Sequence, residues 1–482
     1  MSTFVNSLRT RNSHTENGMV TNSSSLNPCV DLFFIIGAYR SKINDHHSVA
    51  DLVSKLEAAH NHDPLLTRKM LFWVRDIRGG SGERETFRKL FRYMCTTFPQ
   101  EMIDNIRLVP EYGRWDDIFM AFDTPVEETA MEFIIESLES NNAGLLAKWI
   151  PRTGGKVSKE KRTIAHKIRR VMEMTPKEFR KYIVDRTSVI ETAMCKKDYS
   201  TVNYSQVPSV AMARYTNAFN RNDLEKFTAF KTALANPDSG VTINASAIYP
   251  YDIIKTLQYA DQVLAKEQWK ALPNYMEGNV ERVLPVCDVS GSMSSATTSG
   301  STSALDICIS LGLYISERNE GPFKNAFVTF SENPELQYLT GDLVSRFVQL
   351  QTANWGMSTN LEATFNHILQ HSIKNGVTQE EMPTCILIMS DMEFNEATDY
   401  GSSAMDMIKV EYEKSGYALP KVVFWNLNAR ISNVPVQIHD ENTALISGFS
   451  PAILKSVLSG KTMTPESIMN DTLNSERYSL VK

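Results

Sequence analysis

The C-terminal part of the chain holds four apolar runs of strand length, at residues 283–287, 326–330, 385–390 and 422–427. Helix-length stretches separate them, at 303–318, 359–374 and 402–415. A strand with one wet face alternates apolar and polar residues, and these runs do not alternate. Both faces of such a sheet must therefore be covered, and connections long enough to form helices supply the cover. The pattern predicts a parallel, Rossmann-like α/β sheet from about residue 279.

Before that point helical spacing dominates. Leu52, Leu56 and Ala59 share one face, Phe87, Leu90, Phe91 and Met94 another, and Met131, Ile134, Ile135 and Leu138 a third. Glycine-rich and proline-rich punctuation at 79–82, 112–114, 151–155 and 236–238 divides the helices. At 482 residues the chain is too long for one ordinary domain. The expected layout is multidomain α and α/β: a polar, mobile arm over 1–27, a helical region over 28–275, the α/β domain over 279–470 and a tail over 471–482. Many short helices suggest a HEAT-like solenoid or ring, although no repeat of fixed period is visible.

Asp288-Val289-Ser290-Gly291-Ser292-Met293 directly follows the first apolar run. In open α/β sheets, ligands bind beyond the carboxyl ends of the strands. A carboxylate and two hydroxyls alternating on one tight loop supply oxygens suited to a hard divalent cation. Thr359, in a loop entering a helix, and Asp391, closing the third apolar run, add two more. A Ser-rich turn capping the next helix is the bland alternative for the loop alone, and the ordered set argues against it.

This set resembles the von Willebrand factor A domain with its metal-ion-dependent adhesion site, over roughly residues 279 to 470. The resemblance implies Mg²⁺, or another divalent cation such as Mn²⁺ or Ca²⁺, touched directly by Ser290, Ser292 and Thr359. It implies that Asp288 and Asp391 act mostly through bound water, with one position left open for a partner's acidic group. Two features depart from the pattern. Pro285 stands in a strand expected to be central, where it removes a ladder hydrogen bond. The segment Ser390-Asp391-Met392-Glu393 stands where many such domains have a glycine after the aspartate; Glu393 is either an acidic neighbour of the metal or a surface residue, and the surface is preferred.

Residues 148–197 hold fifteen Lys or Arg against five Asp or Glu, in a chain whose total charge is −6. Such asymmetry is the electrostatic footprint expected of a nucleic-acid contact, although a charge run is more often a solvated face. Candidate phosphate contacts are Lys148, Arg152, Lys156, Lys159, Lys161, Arg162, Lys167, Arg169 and Arg170.

The stretches Asp31-Leu32-Phe33-Phe34, Arg75-Asp76-Ile77-Arg78-Gly79-Gly80, Tyr112-Gly113-Arg114-Trp115-Asp116-Asp117, Leu146–Arg152 and Val207-Pro208-Ser209 resemble an uncharacterised family, domain of unknown function 2828. That layout is similar, more distantly, to the TROVE module of the Ro ribonucleoprotein. The resemblance implies a ring of helices closed by an A-type domain, binding single-stranded RNA ends in its hole and structured RNA outside. The expected function is therefore a non-enzymatic, Ro-like RNA-binding protein. The alternative is an assembly module whose metal site grips an acidic residue of a protein partner.

No catalytic constellation emerges. The glycines at 79–82 lack the following Lys-Ser of a phosphate loop, and His367 and His371 have zinc-ligand spacing without a third ligand. The His60-Asn61-His62 triplet and the Arg114–Asp117 cluster are read as loop and packing features. Six scattered cysteines without a CxxC pair are read as reduced thiols of a cytoplasmic, soluble protein, with no membrane contact.

Overall fold

A computed structural model describes residues 13–141, 143–259, 261–294, 302–330, 334–353, 359–395, 404–428, 433–459 and 463–482. Up to residue 270 the described elements are helices, apart from a hairpin of β1 (Ser13–His14) and β2 (Val20–Thr21). Helices start where the sequence supplies a cap. Asn27 accepts from the Cys29 amide at 2.9 Å ahead of the Pro28–Ile36 helix, and Asp63 from the Leu66 amide at 2.9 Å ahead of Pro64–Arg75. Both helices place proline in the first turn, where its missing N–H is no loss. Thr175 and Glu178 form a capping box on Pro176–Arg186. Neighbouring helices pack in sequence: His46–His62 on Pro64–Arg75, the latter on Arg84–Thr97, and Pro250–Tyr259 on Gln262–Lys270.

The remainder is built on one six-stranded sheet, so the chain is α in its first part and α/β in its second. Its strands are β3 (Val283–Cys287), β4 (Ala326–Thr329), β5 (Leu336–Tyr338), β6 (Cys385–Ser390), β7 (Lys421–Asn426) and β8 (Thr443–Ser447), in the order β5-β4-β3-β6-β7-β8. All neighbours run parallel except β4 and β5. The chain leaves β3 toward one edge, then returns to its other side with β6. The carboxyl ends of β3 and β6 thus form the topological switch point, where connections diverge and leave a crevice.

Pro285 sits in β3 opposite Leu387 and is tolerated for a definable reason. The Cys287 carbonyl accepts from Phe330 on the β4 side, whereas the Asp288 amide donates to Met389 on the β6 side. Residues two apart on a strand present their groups to the same neighbour, so the missing N–H of Pro285 faces the β4 side. There pairing begins only at Val286, so the missing donor falls at the end of the β3–β4 ladder and not within it.

Two of the expected boundaries are corrected. Residues 13–27, expected within a mobile arm, are fastened down: Thr15 Oγ1 donates to the Phe394 carbonyl at 2.6 Å, and Asn22 and Val434 exchange backbone bonds. Residues 471–482 are no free tail. Tyr478 is buried with its hydroxyl on Asp76 at 3.0 Å, and the Lys482 amide donates to Asn105 at 2.9 Å. The Pro28–Ile36 helix, apolar but for Asp31 and almost wholly buried, lies against β8, with Ser447 Oγ donating to the Phe33 carbonyl at 2.6 Å. One contiguous hydrophobic core therefore runs through both parts, with a smaller cluster around Tyr204, Phe219 and Phe227.

Candidate functional site

The ends of β3 and β6 bring together Asp288, Ser290, Ser292 and Asp391 of the residues picked out in the sequence. Asp288 is wholly buried; its Oδ1 accepts from the Ser290 amide at 2.9 Å and its Oδ2 from Ser390 Oγ at 2.5 Å. Ser290 and Ser292 place their hydroxyl oxygens 3.0 Å apart. Asp391, also wholly buried, follows Ser390 and accepts from the Glu393 amide at 3.3 Å. Thr359 is buried, and its carbonyl accepts from the Asn395 amide at 2.9 Å, which fastens its loop beside the segment after Asp391. Ser390 is a member of the site that motif reasoning passed over. A lone hydroxyl closing an otherwise apolar strand was the available signal.

Burial, and then the charge of Asp391, push the Asp288 carboxyl up to about 6. Two carboxylates held out of water repel each other, and a divalent cation among these oxygens would offset that cost. Among the described residues no three His, Cys, Asp or Glu side chains converge, so such a cation would need hydroxyls as well as carboxylates. Oxygen donors without thiol or imidazole suit Mg²⁺, Mn²⁺ or Ca²⁺ better than zinc. The donor chemistry fits.

Glu393 is not the surface residue preferred from sequence. It is 3% exposed; one carboxyl oxygen accepts from the Glu16 amide at 2.6 Å and the other from Asn433 Nδ2 at 2.8 Å. Asn17 Nδ2 donates to its carbonyl at 2.7 Å. The acid anchors the N-terminal hairpin beside the switch point, an attachment that no local pattern could announce.

The basic candidates divide into two groups. Lys148 pairs with Glu191 at 2.6 Å, Lys167 bridges Asp123 and Glu127 at 2.7 Å each, and Arg169 donates to the Met174 carbonyl. Those three side chains also tie neighbouring segments of the helical part together. Arg162 bonds the Gly155 and Val157 carbonyls at 3.2 and 3.3 Å, which shapes its own loop. Arg152, Lys156, Lys159, Lys161 and Arg170 are exposed, and no ion pair is seen for them among the described residues. Arg152 lines two clefts, Lys156 and Lys161 line the smaller of them, and Lys159 and Arg170 lie on the Lys159–Val171 helix.

The Arg114–Asp117 cluster is structural. Asp117 is wholly buried and binds Arg75 at 2.7 Å, Arg88 at 2.6 Å and the Arg114 amide at 2.9 Å, while the Arg114 guanidinium stacks over Trp149 at 4.0 Å. Asp76 likewise holds Arg477 with two hydrogen bonds, joining the Arg75–Gly80 motif to the C-terminal residues.

Comparison with known proteins gives the chain a family. A model described as domain of unknown function DUF7788 matches residues 282–479. An uncharacterized protein of Acanthamoeba polyphaga mimivirus, L728, is 28% identical over 507 residues, spanning 95% of this chain and 86% of that protein. The crystal structure of the Deinococcus radiodurans Ro (RSR) protein aligns over 92% of this chain and 93% of that one, at 13% identity and a TM-score of 0.39. Likeness at that level carries no argument here. The model described as domain of unknown function DUF2828 matches residues 15–119 and 134–281, more than half of the sequence, and the chain belongs to the DUF2828 family.

Proposed function

We propose that this is a non-enzymatic RNA-binding protein whose α/β part carries a divalent-cation site. The observation behind the RNA reading is the set of exposed cations at Arg152, Lys156, Lys159, Lys161 and Arg170, which no acid neutralises among the described residues. A solvated helix face is normally laced with opposite charge, as Lys167 is. Uncompensated cations beside Gly154 and Gly155 instead suit phosphates. The resemblance in layout to the TROVE module of Ro points the same way, with the helices read as a HEAT-like ring. A cytoplasmic location belongs to the proposal and fits six cysteines that are all free thiols, five of them buried. No described helix is long and apolar enough to cross a membrane.

The test is fluorescence anisotropy of the full chain with labelled RNA across a salt series. Binding at low salt that weakens steeply as salt rises supports the reading. Absence of binding at low salt overturns it.

The α/β part is read as an A-type domain with Mg²⁺, or Mn²⁺ or Ca²⁺, at Asp288, Ser290, Ser292, Thr359 and Asp391. A second reading, in which this site grips an acidic residue of a protein partner, is favoured by one observation. Gly291 is exposed and Ser292 half-buried, so one side of the loop faces solvent.

A further inference from the structure

Two clefts flank the wall formed by residues 150–152. The larger, of about 980 Å³, lies among the Gly144–Trp149, Pro176–Arg186 and Ile190–Lys196 helices. Ile150, Phe179 and Ile183 give it an apolar lining, and Arg152, Lys177 and Arg180 give it exposed cations. Its carboxylate, Glu191, is already engaged by Lys148 at 2.6 Å and the Tyr215 hydroxyl at 3.1 Å. The smaller cleft, of about 410 Å³, sets Phe119, Trp149 and Ile164 beside Lys156 and Lys161. Of its two acids, Asp116 is engaged by Arg88 and Arg114 at 2.7 and 2.6 Å, and Glu160 is exposed. Ile150, Pro151 and Arg152 line both clefts.

Resting on the RNA reading above, we infer that the two clefts receive neighbouring unpaired nucleotides of one strand, with the phosphate between them on Arg152. Apolar floors under cationic rims call for a ligand that is flat and apolar in one part and anionic at regular intervals. Single-stranded RNA has that chemistry: unstacked bases can be splayed into pockets while the backbone stays on the cations. Both volumes lie in the range of pockets that enclose small ligands. A duplex cannot use them, because its bases are stacked inside an A-form helix. It would meet only the outer cations.

Cys195 makes the inference testable. It lines the larger cleft and is exposed, while the other five cysteines are buried. The rate at which N-ethylmaleimide alkylates the full-length protein therefore reports on that cleft. Saturating oligouridylate, with saturation established by anisotropy, should slow alkylation of Cys195 several-fold. A duplex RNA bound to the same saturation should leave the rate unchanged. Arg152→Ala should weaken oligouridylate about tenfold and duplex far less. If oligouridylate binds while Cys195 reacts at its free rate, or duplex protects equally, the cleft assignment falls and the RNA reading stands. If neither RNA binds, both fall.

Discussion

At the switch point of the sheet, Asp288, Ser290, Ser292 and Ser390 are tied to one another or to backbone amides, and Asp288 and Asp391 are wholly buried. Around Arg152 the arrangement is reversed: exposed cations on a glycine-containing loop and helix, of which Arg152, Lys156, Lys159, Lys161 and Arg170 have no ion pair among the described residues. A site of the first kind depends on geometry, since a cation accepts a few oxygens at fixed distances and loses binding when two are removed. One of the second kind depends on charge summed over several contacts, and salt screens them all. The two parts should therefore answer perturbation differently, except in stability, where they share one core.

The largest effect is expected where the parts are joined. Asp76 is wholly buried and receives the Arg477 guanidinium, the Tyr478 hydroxyl and the Arg78 amide. Asp76→Ala strands those donors and should cost about 3 kcal/mol, the lower end for breaking a buried pair, because Arg477 remains partly solvated. Urea denaturation should show one transition, at lower urea, for both near-ultraviolet dichroism and tryptophan emission. Two separated transitions in the parent protein would show that the parts fold independently. The exposed Arg107–Glu136 pair serves as control, and Arg107→Ala should leave the midpoint nearly unmoved.

The next effect separates the sites. Ser290→Ala combined with Ser292→Ala removes the two loop hydroxyls assigned to the cation while leaving the turn and the buried Met293 in place. Calorimetric titration with Mg²⁺ or Mn²⁺ should lose its binding heat, and the urea midpoint without metal should stay put. Unaltered metal binding would place the cation elsewhere.

The unequal legibility of the two parts has a physical cause. β3 and β6 were readable because each is a fully buried apolar run ending abruptly in an acid, a pattern carried by neighbours in sequence. β5 was missed: it is an antiparallel edge strand of three residues, with Leu336 and Tyr338 exposed, and has no apolar run to betray it. The Pro28–Ile36 helix was legible as a helix, but its partner β8 lies some four hundred residues away and local patterns are silent about such contacts. Glu393 misled for the same reason, since its partners Glu16 and Asn433 come from distant segments. Charge counting found the basic segment yet could not tell Lys167 from Lys159. Only the fold brings Asp123 and Glu127 to the former.

A smaller effect follows from the additive character of the basic segment. Replacing Lys156, Lys159 and Lys161 by Gln should flatten the dependence of log K on log[salt] by about 2 units, at roughly 0.7 per phosphate on a single strand. Affinity at high salt should change much less than at low salt. An unchanged slope would return these lysines to the role of a solvated face.

The smallest effect is expected for metal removal on RNA binding, and it tests the comparison itself. A phosphate could in principle fill an open coordination position, which would make the two sites one. The clefts, however, are lined by residues between Arg88 and Cys195, and none of the oxygens from Asp288 to Asp391 borders either. EDTA should therefore leave RNA affinity within about threefold, under about 0.7 kcal/mol, in the same titration that shows loss of Mg²⁺ binding. A loss of about tenfold or more, restored by Mg²⁺, would show that the sheet's switch point is part of the RNA surface. In that event the Ser290→Ala, Ser292→Ala protein should show the same loss without chelator.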